Sequence, residues 1–165
     1  MTYRIRPARA DDVRAIAALR LPMEGEVLLH HDLVALFERV QEFVVAVDEN
    51  DTVVGAGGLH VMWEDLAEIR SLIVDSSVRG MGIGNLLVAA LVEKAQTFAI
   101  KRLFCLTFEV EFFGRHGFAE ISDVPVDEET FAEMVRSNDD GVAEFLDLAR
   151  VKQNTLGNTR MLRLL

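Results

Sequence analysis

A glycine-rich turn between an apolar strand and an amphipathic helix constrains this chain more than any other feature. Leu72, Ile73 and Val74 are apolar and partly β-branched, which predicts a strand, and Asp75-Ser76-Ser77 ends it. The turn Arg79–Gly84 then leads into the helix. Its main-chain N–H groups are not shielded by side chains, and the positive end of a helix dipole favours an anion there. The stretch therefore predicts a site for a phosphate-bearing cofactor.

The spacing within the turn narrows the choice of cofactor. A Walker loop needs a Gly-Lys-Ser/Thr ending, but Asn85-Leu86 follows Gly84. A dinucleotide fingerprint that starts at Gly80 needs a third small residue at Asn85. Both are excluded. The helix behind the turn has apolar residues at helical spacing, and these are Ile83, Leu86, Leu87, Ala90, Leu91 and Phe98.

Composition limits the partners and the compartment. The chain has 165 residues, of which 50% are apolar and 27% charged, and this predicts a single globular domain over residues 1–165. The net charge of −10, with no block of Lys or Arg, argues against nucleic acid and anionic membranes as partners. No apolar run reaches membrane-spanning length, and no signal peptide is visible. The single Cys105 favours a cytoplasmic location.

Alternating elements predict a mixed α/β domain. We expect a helix from Asp11 to Arg20 with Val13, Ile16, Ala17 and Arg20 on one face. Further helices are expected over 31–41, 83–100, 109–116, 127–135 and 141–149. The expected strands are 3–6, 43–47, 53–61, 67–74, 102–108, 118–121 and 160–164.

The pattern Arg-x-x-Gly-x-Gly at Arg79–Gly84 resembles the acetyl-CoA signature of the GNAT superfamily of acetyltransferases. The order of predicted elements is similar to the GNAT order along essentially the whole chain. The resemblance implies a mostly antiparallel sheet, splayed between strands 4 and 5, with flanking helices. It also implies that acetyl-CoA binds along strand 4 and the turn, at Leu72, Ile73, Val74, Arg79, Gly80, Met81, Gly82, Ile83 and Gly84.

Three further segments resemble N-acetylglutamate synthases, and most closely the short, single-domain synthases of actinobacteria. They are Glu68-Ile69, the run Leu103–Glu109, and Phe112-Phe113 followed by Gly117-Phe118. Val40–Phe43 and the tail Leu156–Leu162 add to this resemblance. It implies transfer of an acetyl group from acetyl-CoA to the α-amino group of L-glutamate, the first step of arginine biosynthesis.

The resemblance also implies catalytic roles. Glu68 corresponds to the general base, which the chemistry needs because an amino acid arrives as an ammonium ion. Ser71 and Thr107 correspond to residues that orient the amine and protonate the thiolate, although both also suit ordinary strand hydroxyls bonded to the main chain. Glu68 and Ser71 face opposite ways on a regular strand, so a bulge is expected between them. Phe113 occupies the position of the usual proton-donating Tyr and cannot donate a proton.

The two carboxylates of glutamate need cationic partners. Longer synthases place an arginine after the first helix, where this chain reads Leu29-His30-His31, and another near the C-terminus. Arg70 and Arg160 are the candidate substrate-binding residues, with Lys152 and Arg163 as further candidates. The four histidines lack metal-ligand spacing, so no metal is expected.

Two alternatives to the glutamate enzyme stay open at this point. One is a GNAT enzyme for another small amine or a protein N-terminus. The other, suggested by Phe113, is a non-catalytic acyl-CoA-binding module, although such a binder would need no buried carboxylate at Glu68. The sequence leaves the oligomeric state open, a homodimer included.

Overall fold

The computed structural model describes residues 1–25, 28, 31–154 and 157–165, with the main chain alone at 152–154. The described helices are α1 (Val13–Arg20), α2 (Leu33–Glu38), α3 (Ile83–Thr97), α4 (Val110–Arg115), α5 (Glu128–Met134) and α6 (Asp140–Phe145). The described strands are β1 (Arg4–Pro7), β2 (Phe43–Val47), β3 (Val53–Trp63), β4 (Leu66–Val74), β5 (Arg102–Thr107), β6 (Ala119–Glu120) and β7 (Thr159–Leu164).

Within the described residues the strands are hydrogen-bonded in the order β1-β2-β3-β4-β5-β7-β6. Among the described strands, β4 and β5 pair in parallel, whereas the pairs β1–β2, β2–β3, β5–β7 and β6–β7 are antiparallel. The expected mixed α/β class is therefore confirmed. The chain divides into two units, residues 1–60 with 69–98 and residues 61–68 with 99–165, and β3 and β4 run through both. A single domain over 1–165 stays a prediction.

The first unit is built on β2, whose five residues are all buried. Val45 and Val47 form a core with Val13 and Ile16 of α1 and Leu36 of α2. An ion pair holds the start of α1 against β1, since Arg6 Nη1 lies 2.7 Å from Asp12 Oδ2 and both side chains are mostly buried. This network also keeps the pKa of the Asp12 carboxyl below its usual value, mainly through the hydrogen bond from Arg6.

Helix α3 also belongs to the first unit, and its buried face differs from the predicted one. Ile83, Leu87, Val88, Leu91 and Ala95 are buried, whereas Leu86 is 44% and Phe98 55% exposed. Leu86 lies roughly on the opposite side of the helix from the buried row, which advances by four residues. Phe98 follows the last helical residue, Thr97.

In the second unit, α5 and α6 pack against β4 and β5. Its core contains Leu66, Phe104, Met134, Val142, Phe145 and Leu146. The parallel ladder of β4 and β5 covers Leu66↔Arg102, Ala67↔Leu103 and Glu68↔Phe104. Pairing stops there, although β4 continues to Val74 and β5 to Thr107. Arg102 fixes the entry to this ladder, because its Nε and Nη2 donate to the two carboxylate oxygens of Asp65 at 2.9 and 3.1 Å.

The predicted helices and strands are present, and most of them are shorter than predicted. Strand 43–47 matches to the residue, whereas the helix expected over 31–41 is limited to Leu33–Glu38 and a 3₁₀ turn at Val40–Glu42. Among the described residues, no helix is both long enough and apolar enough to cross a lipid bilayer.

Gly57 allows β3 to pack closely against α3, which predicts a large effect of one methyl group. A Cβ at Gly57 would lie 2.8 Å from Leu91 Cδ1 and 3.0 Å from Leu72 Cδ1. We expect Gly57→Ala to lower the free energy of unfolding by about 1–3 kcal/mol through overpacking. Gly114→Ala is the matched control. Its Cβ meets nothing within 4 Å, so the change should raise helix stability by about 0.5–1 kcal/mol. Equal effects in chemical denaturation would contradict the close packing at Gly57.

Candidate active site

Glu68 is the last residue of the parallel ladder and is buried within an apolar strand. Its exposed fraction is 6%, and its ladder partner on β5 is Phe104. The charge of Glu68 also acts on Cys105, the next residue of β5. Burial raises the pKa of the Cys105 thiol well above its usual value, and the negative charge of Glu68 raises it further. Glu68 is therefore a buried carboxyl group that acts electrostatically on Cys105 within the second unit.

A second carboxyl, Glu144 of α6, lies in the same electrostatic environment. Its exposed fraction is 3%, and its Oε1 atom has no hydrogen-bond partner among the described residues. Burial raises its pKa from 4.5 to about 7, with further upward contributions from the charges of Glu68, Asp140 and Asp147 and a downward one from Arg160. Near neutral pH this carboxyl is partly protonated.

Arg160 of β7, a predicted substrate-binding residue, contacts main-chain carbonyl groups. Its Nε donates to Glu144 O at 3.0 Å, and its Nη2 donates to Asp123 O at 3.0 Å and to Phe145 O. The guanidinium carbon also lies 6.0 Å from the centre of the Phe104 ring. These contacts cap the end of α6. Arg160 therefore has a structural role. Its role in substrate binding stays a prediction.

Ser71 breaks the regular geometry of β4, as the expected bulge requires. It is 8% exposed and has a φ of 54°, a left-handed conformation that is unusual for a non-glycine residue inside a strand. Its Oγ accepts a hydrogen bond from Nη1 of Arg20, an almost fully buried arginine at the end of α1. The predicted irregularity between Glu68 and Ser71 is thus present.

Arg20 belongs to a small charged cluster within the first unit. Its Nε lies 3.5 Å from Glu24 Oε1. Burial lowers the pKa of Arg20, Glu24 opposes that shift, and the positive charge of Arg70 adds to it. Arg70, the other predicted substrate-binding residue, is partly buried. Two guanidinium groups within electrostatic range of each other favour an anionic ligand.

The glycine turn presents main-chain groups to solvent. Gly80 and Gly82 have φ values of 81° and 78°, and Gly82 directly precedes α3. The first amide groups of α3 have no carbonyl partner within the helix. Arg79, Gly80 and Met81 are exposed, whereas Ile83 anchors the turn in the core. The strand before the turn alternates, with Ile73 buried and Leu72 and Val74 partly exposed.

Thr107 at the end of β5 and Phe113 in α4 both belong to the second unit. Thr107 is 8% exposed, and its Oγ1 accepts a hydrogen bond from Glu109 N at 2.8 Å, which leaves the hydroxyl proton available for donation. Phe113 is buried between Phe112 and Phe118 in edge-to-face contacts with centroid distances of 5.2 Å. The proton-donor role of Thr107 stays a prediction.

Several residues that the sequence analysis considered lie elsewhere or outside the described part of the chain. His60 Nδ1 lies 2.7 Å from Glu42 Oε1, and His116 packs against Phe112. Leu29, His30, Leu156 and the side chain of Lys152 lie outside the described residues. Across the described ranges, no three His, Cys, Asp or Glu side chains are grouped so that they could hold a metal ion.

Arg20 in the first unit and Glu144 in the second are buried charged residues that the sequence interpretation did not name as candidates. Each had a visible signal. Arg20 falls on the apolar face of the predicted first helix, and Glu144 stands inside the apolar run Val142–Leu146. A charged residue enclosed by apolar ones must be paired or neutralised when it is buried.

The comparisons with known proteins agree with one another. The model of the acetyltransferase (GNAT) family matches residues 12–118. An amino-acid acetyltransferase of Mycobacterium tuberculosis is 53% identical over 163 residues, which cover 98% of this chain and 94% of that protein.

Two solved structures have similar folds. The crystal structure of Rv2747 from Mycobacterium tuberculosis in complex with CoA and NLQ has a TM-score of 0.95 and 52% identity, with 98% of this chain and 99% of that chain covered. N-acetylglutamate synthase from Neisseria gonorrhoeae, complexed with coenzyme A and N-acetyl-glutamate, has a TM-score of 0.80 and 26% identity. That match covers 100% of this chain and 35% of the synthase chain. The similarity therefore extends along almost the whole sequence.

Proposed function

The chain belongs to the GNAT family of acetyltransferases, and from this membership we propose that it acetylates the α-amino group of L-glutamate, the first step of arginine biosynthesis. At the coarser level it is an amino-acid acetyltransferase that uses acetyl-CoA. The expected GNAT fold is confirmed by the family match and the structural neighbours. The observation that carries the proposal is the buried carboxylate of Glu68, since a non-catalytic binding module would need no such group.

The glycine turn is the proposed site for the pyrophosphate of acetyl-CoA. Its amide groups and the N-terminus of the 15-residue helix α3 favour an anion. The chain has a net charge of −10, so attraction of this anion has to come from local donors such as these amides and the exposed Arg79. The partly exposed Leu72 and Val74 lie on the strand that leads to the turn and would flank the pantetheine arm.

Glu68 is the proposed general base. The substrate ammonium loses one proton to Glu68, directly or through water, and the free amine then attacks the thioester carbonyl carbon. As the C–S bond breaks and the amide forms, the nitrogen loses its second proton and the CoA thiolate takes up one proton, so that a hydroxyl that donates to the thiolate regains its proton from the nitrogen. Thr107 is the proposed donor of that proton, because Phe113 stands where the usual Tyr would be. Ser71, three residues beyond Glu68 on β4, would orient the amine.

Arg20 and Arg70 are the proposed partners of the substrate carboxylates. Arg20 is buried beside Ser71, and the electrostatic effect of Arg70 reaches it. A dicarboxylic amino acid offers two carboxylates, and two clustered guanidinium groups match that charge. Arg160 is a third candidate. The Neisseria gonorrhoeae synthase was solved with N-acetyl-glutamate, which supports glutamate as the acceptor here. We also propose a cytoplasmic location, which the lone cysteine supports.

Substrate preference is the direct test of the proposed function. The release of free thiol from acetyl-CoA should be fastest with L-glutamate when a panel of L-amino acids, small amines and peptides with free N-termini is compared. L-glutamine is the matched control, because it differs from glutamate only in the side-chain charge that the arginine cluster would bind. A higher kcat/KM for glutamine or for a peptide would show that the acceptor is not glutamate.

Two changes at Gly82 test the glycine turn. The site has open space for a Cβ, and Asn and Asp tolerate its positive φ better than other residues. We expect Gly82→Asp to weaken acetyl-CoA binding by about tenfold or more, because a carboxylate would repel the pyrophosphate. Gly82→Asn has nearly the same shape without the charge and should lose much less. Calorimetry that gives both variants the same dissociation constant would place the pyrophosphate elsewhere.

Glu68→Gln tests the base, since it keeps the shape of the side chain and removes its basicity. General-base assistance is typically worth roughly 10²–10⁴ in rate, so kcat should fall within that range at neutral pH while the affinity for acetyl-CoA is preserved. The deficit should shrink as pH rises, because more of the substrate then arrives deprotonated. A deficit that is independent of pH and accompanied by weaker CoA binding would show that Glu68 is structural.

A further inference from the structure

Arg20, the last residue of α1, is enclosed by the groups that it contacts. Its exposed fraction is 1%. Its Nη1 donates to Ser71 Oγ, and its Nε lies 3.5 Å from Oε1 of Glu24, whose side chain is 12% exposed. All three residues belong to the first unit. A substrate carboxylate that is to bind this guanidinium group therefore has to displace one of its neighbours.

The two neighbours differ in their ability to move away from Arg20. Ser71 is 8% exposed on β4, and its side chain is only one carbon and a hydroxyl long. Glu24 follows the 3₁₀ turn Leu21–Met23. Its two methylene groups allow a change of rotamer that moves the carboxylate well away from its present position. Of these two neighbours, Glu24 is the one that can leave the guanidinium group.

The main chain around Glu24 is held by hydrogen bonds. Glu24 N donates to Leu21 O at 3.4 Å. Gly25 N donates to Leu28 O at 2.7 Å, and Leu28 N donates to Met23 O at 2.8 Å. Departure of the Glu24 carboxylate from Arg20 thus requires a change of side-chain rotamer and leaves these main-chain bonds in place.

Glu24 carries the same functional group as the proposed substrate. Its side chain ends in a carboxylate, as the side chain of L-glutamate does, and either carboxylate can accept hydrogen bonds from Arg20. Two carboxylates at one buried guanidinium group repel each other. The apparent affinity for the acceptor is then reduced in proportion to the fraction of molecules in which Glu24 has moved away from Arg20.

We propose that the Glu24 carboxylate competes with a carboxylate of the acceptor for Arg20, so that Glu24 raises the KM for the acceptor and is displaced when the acceptor binds. The proposal rests on the proposed role of Arg20 as a partner of the substrate carboxylates. No covalent bond forms or breaks. The ion pair between Arg20 and Glu24 is exchanged for one between Arg20 and the acceptor, and the Glu24 carboxylate becomes hydrated.

Glu24→Gln tests the competition, because it keeps the length of the side chain and removes its charge. A neutral amide binds a guanidinium group less strongly than a carboxylate does. We expect the KM for L-glutamate to fall about three- to tenfold, with kcat and the KM for acetyl-CoA unchanged. If Glu24 instead held Arg20 in place for the acceptor, the KM for L-glutamate would rise. An unchanged or raised KM would overturn the proposal.

Glu38→Gln is the matched control for charge. Glu38 is an exposed residue of α2 in the same unit, so its removal changes the net charge equally without touching Arg20. The KM for L-glutamate should stay at the wild-type value. An equal fall of KM in both variants would assign the effect to overall charge and would overturn the competition at Arg20.

A variant of Arg20 separates this inference from the proposed function. If the wild type does not acetylate L-glutamate, the proposed function is wrong. If Arg20→Gln leaves the KM for L-glutamate unchanged, Arg20 is not a substrate partner. If Arg20→Gln raises that KM but Glu24→Gln does not lower it, only the present inference fails. In the Arg20→Gln background, adding Glu24→Gln should not lower the KM.

Glu24→Asp provides a second variant, because loss of the Glu24 charge beside a buried arginine lowers stability. Asp keeps the charge on a side chain that is one methylene shorter and competes less well, so we expect the KM for L-glutamate to fall about twofold. A rise would overturn the proposal. Thermal unfolding gives a readout without turnover. Saturation of acceptor binding at lower L-glutamate concentrations should make the rise in Tm at a fixed, subsaturating concentration larger in Glu24→Gln than in the wild type. An equal or smaller rise would contradict the competition.

Discussion

The burial of a negative charge in the middle of an apolar strand is the constraint on which the rest of this structure depends. Removing a carboxylate from water costs several kcal/mol unless its surroundings compensate. Glu68 is such a group, with 6% of its surface exposed. Around it, the Cys105 thiol and the Glu144 carboxyl respond by holding their protons. Burial is the main cause of both shifts, and the charge of Glu68 on β4 adds to each of them.

Strand β4 carries charges of opposite sign in close succession. Glu68 ends the three-residue ladder with β5, and Arg70 and Ser71 follow it, the latter in a left-handed conformation and bonded to the buried Arg20. A regular strand would place Glu68 and Arg70 on one face and Ser71 on the other. Under the proposed function, this strand would supply both a proton acceptor and part of an anion-binding cluster within four residues. Backbone strain of this kind is common where function over-determines the geometry.

The two halves of the proposed reaction use different kinds of chemical groups. Acetyl-CoA would be held by main-chain amides of the glycine turn, where Gly80 and Gly82 adopt positive φ. The amino acid would be held and activated by side chains, namely the carboxylate of Glu68 and the guanidinium groups of Arg20 and Arg70. Amide donors recognise a phosphate in any chain that forms the turn, whereas the choice of acceptor depends on the identity of a few buried side chains.

The sequence by itself determined the order of elements, the α/β class and the glycine turn, because strand alternation, helical periodicity and glycine spacing are local properties of the chain. Strand 43–47 matched to the residue, and Glu68 was identified as the candidate base from the resemblance to N-acetylglutamate synthases. Only the tertiary structure decided that Leu86 is exposed, that Arg160 is bonded to main-chain carbonyls, and that Arg20 and Glu144 are buried charged groups. These outcomes depend on which distant residues pack against each side chain. The pKa of about 7 for Glu144 is such a non-local property, since it arises from burial and from charges on other elements.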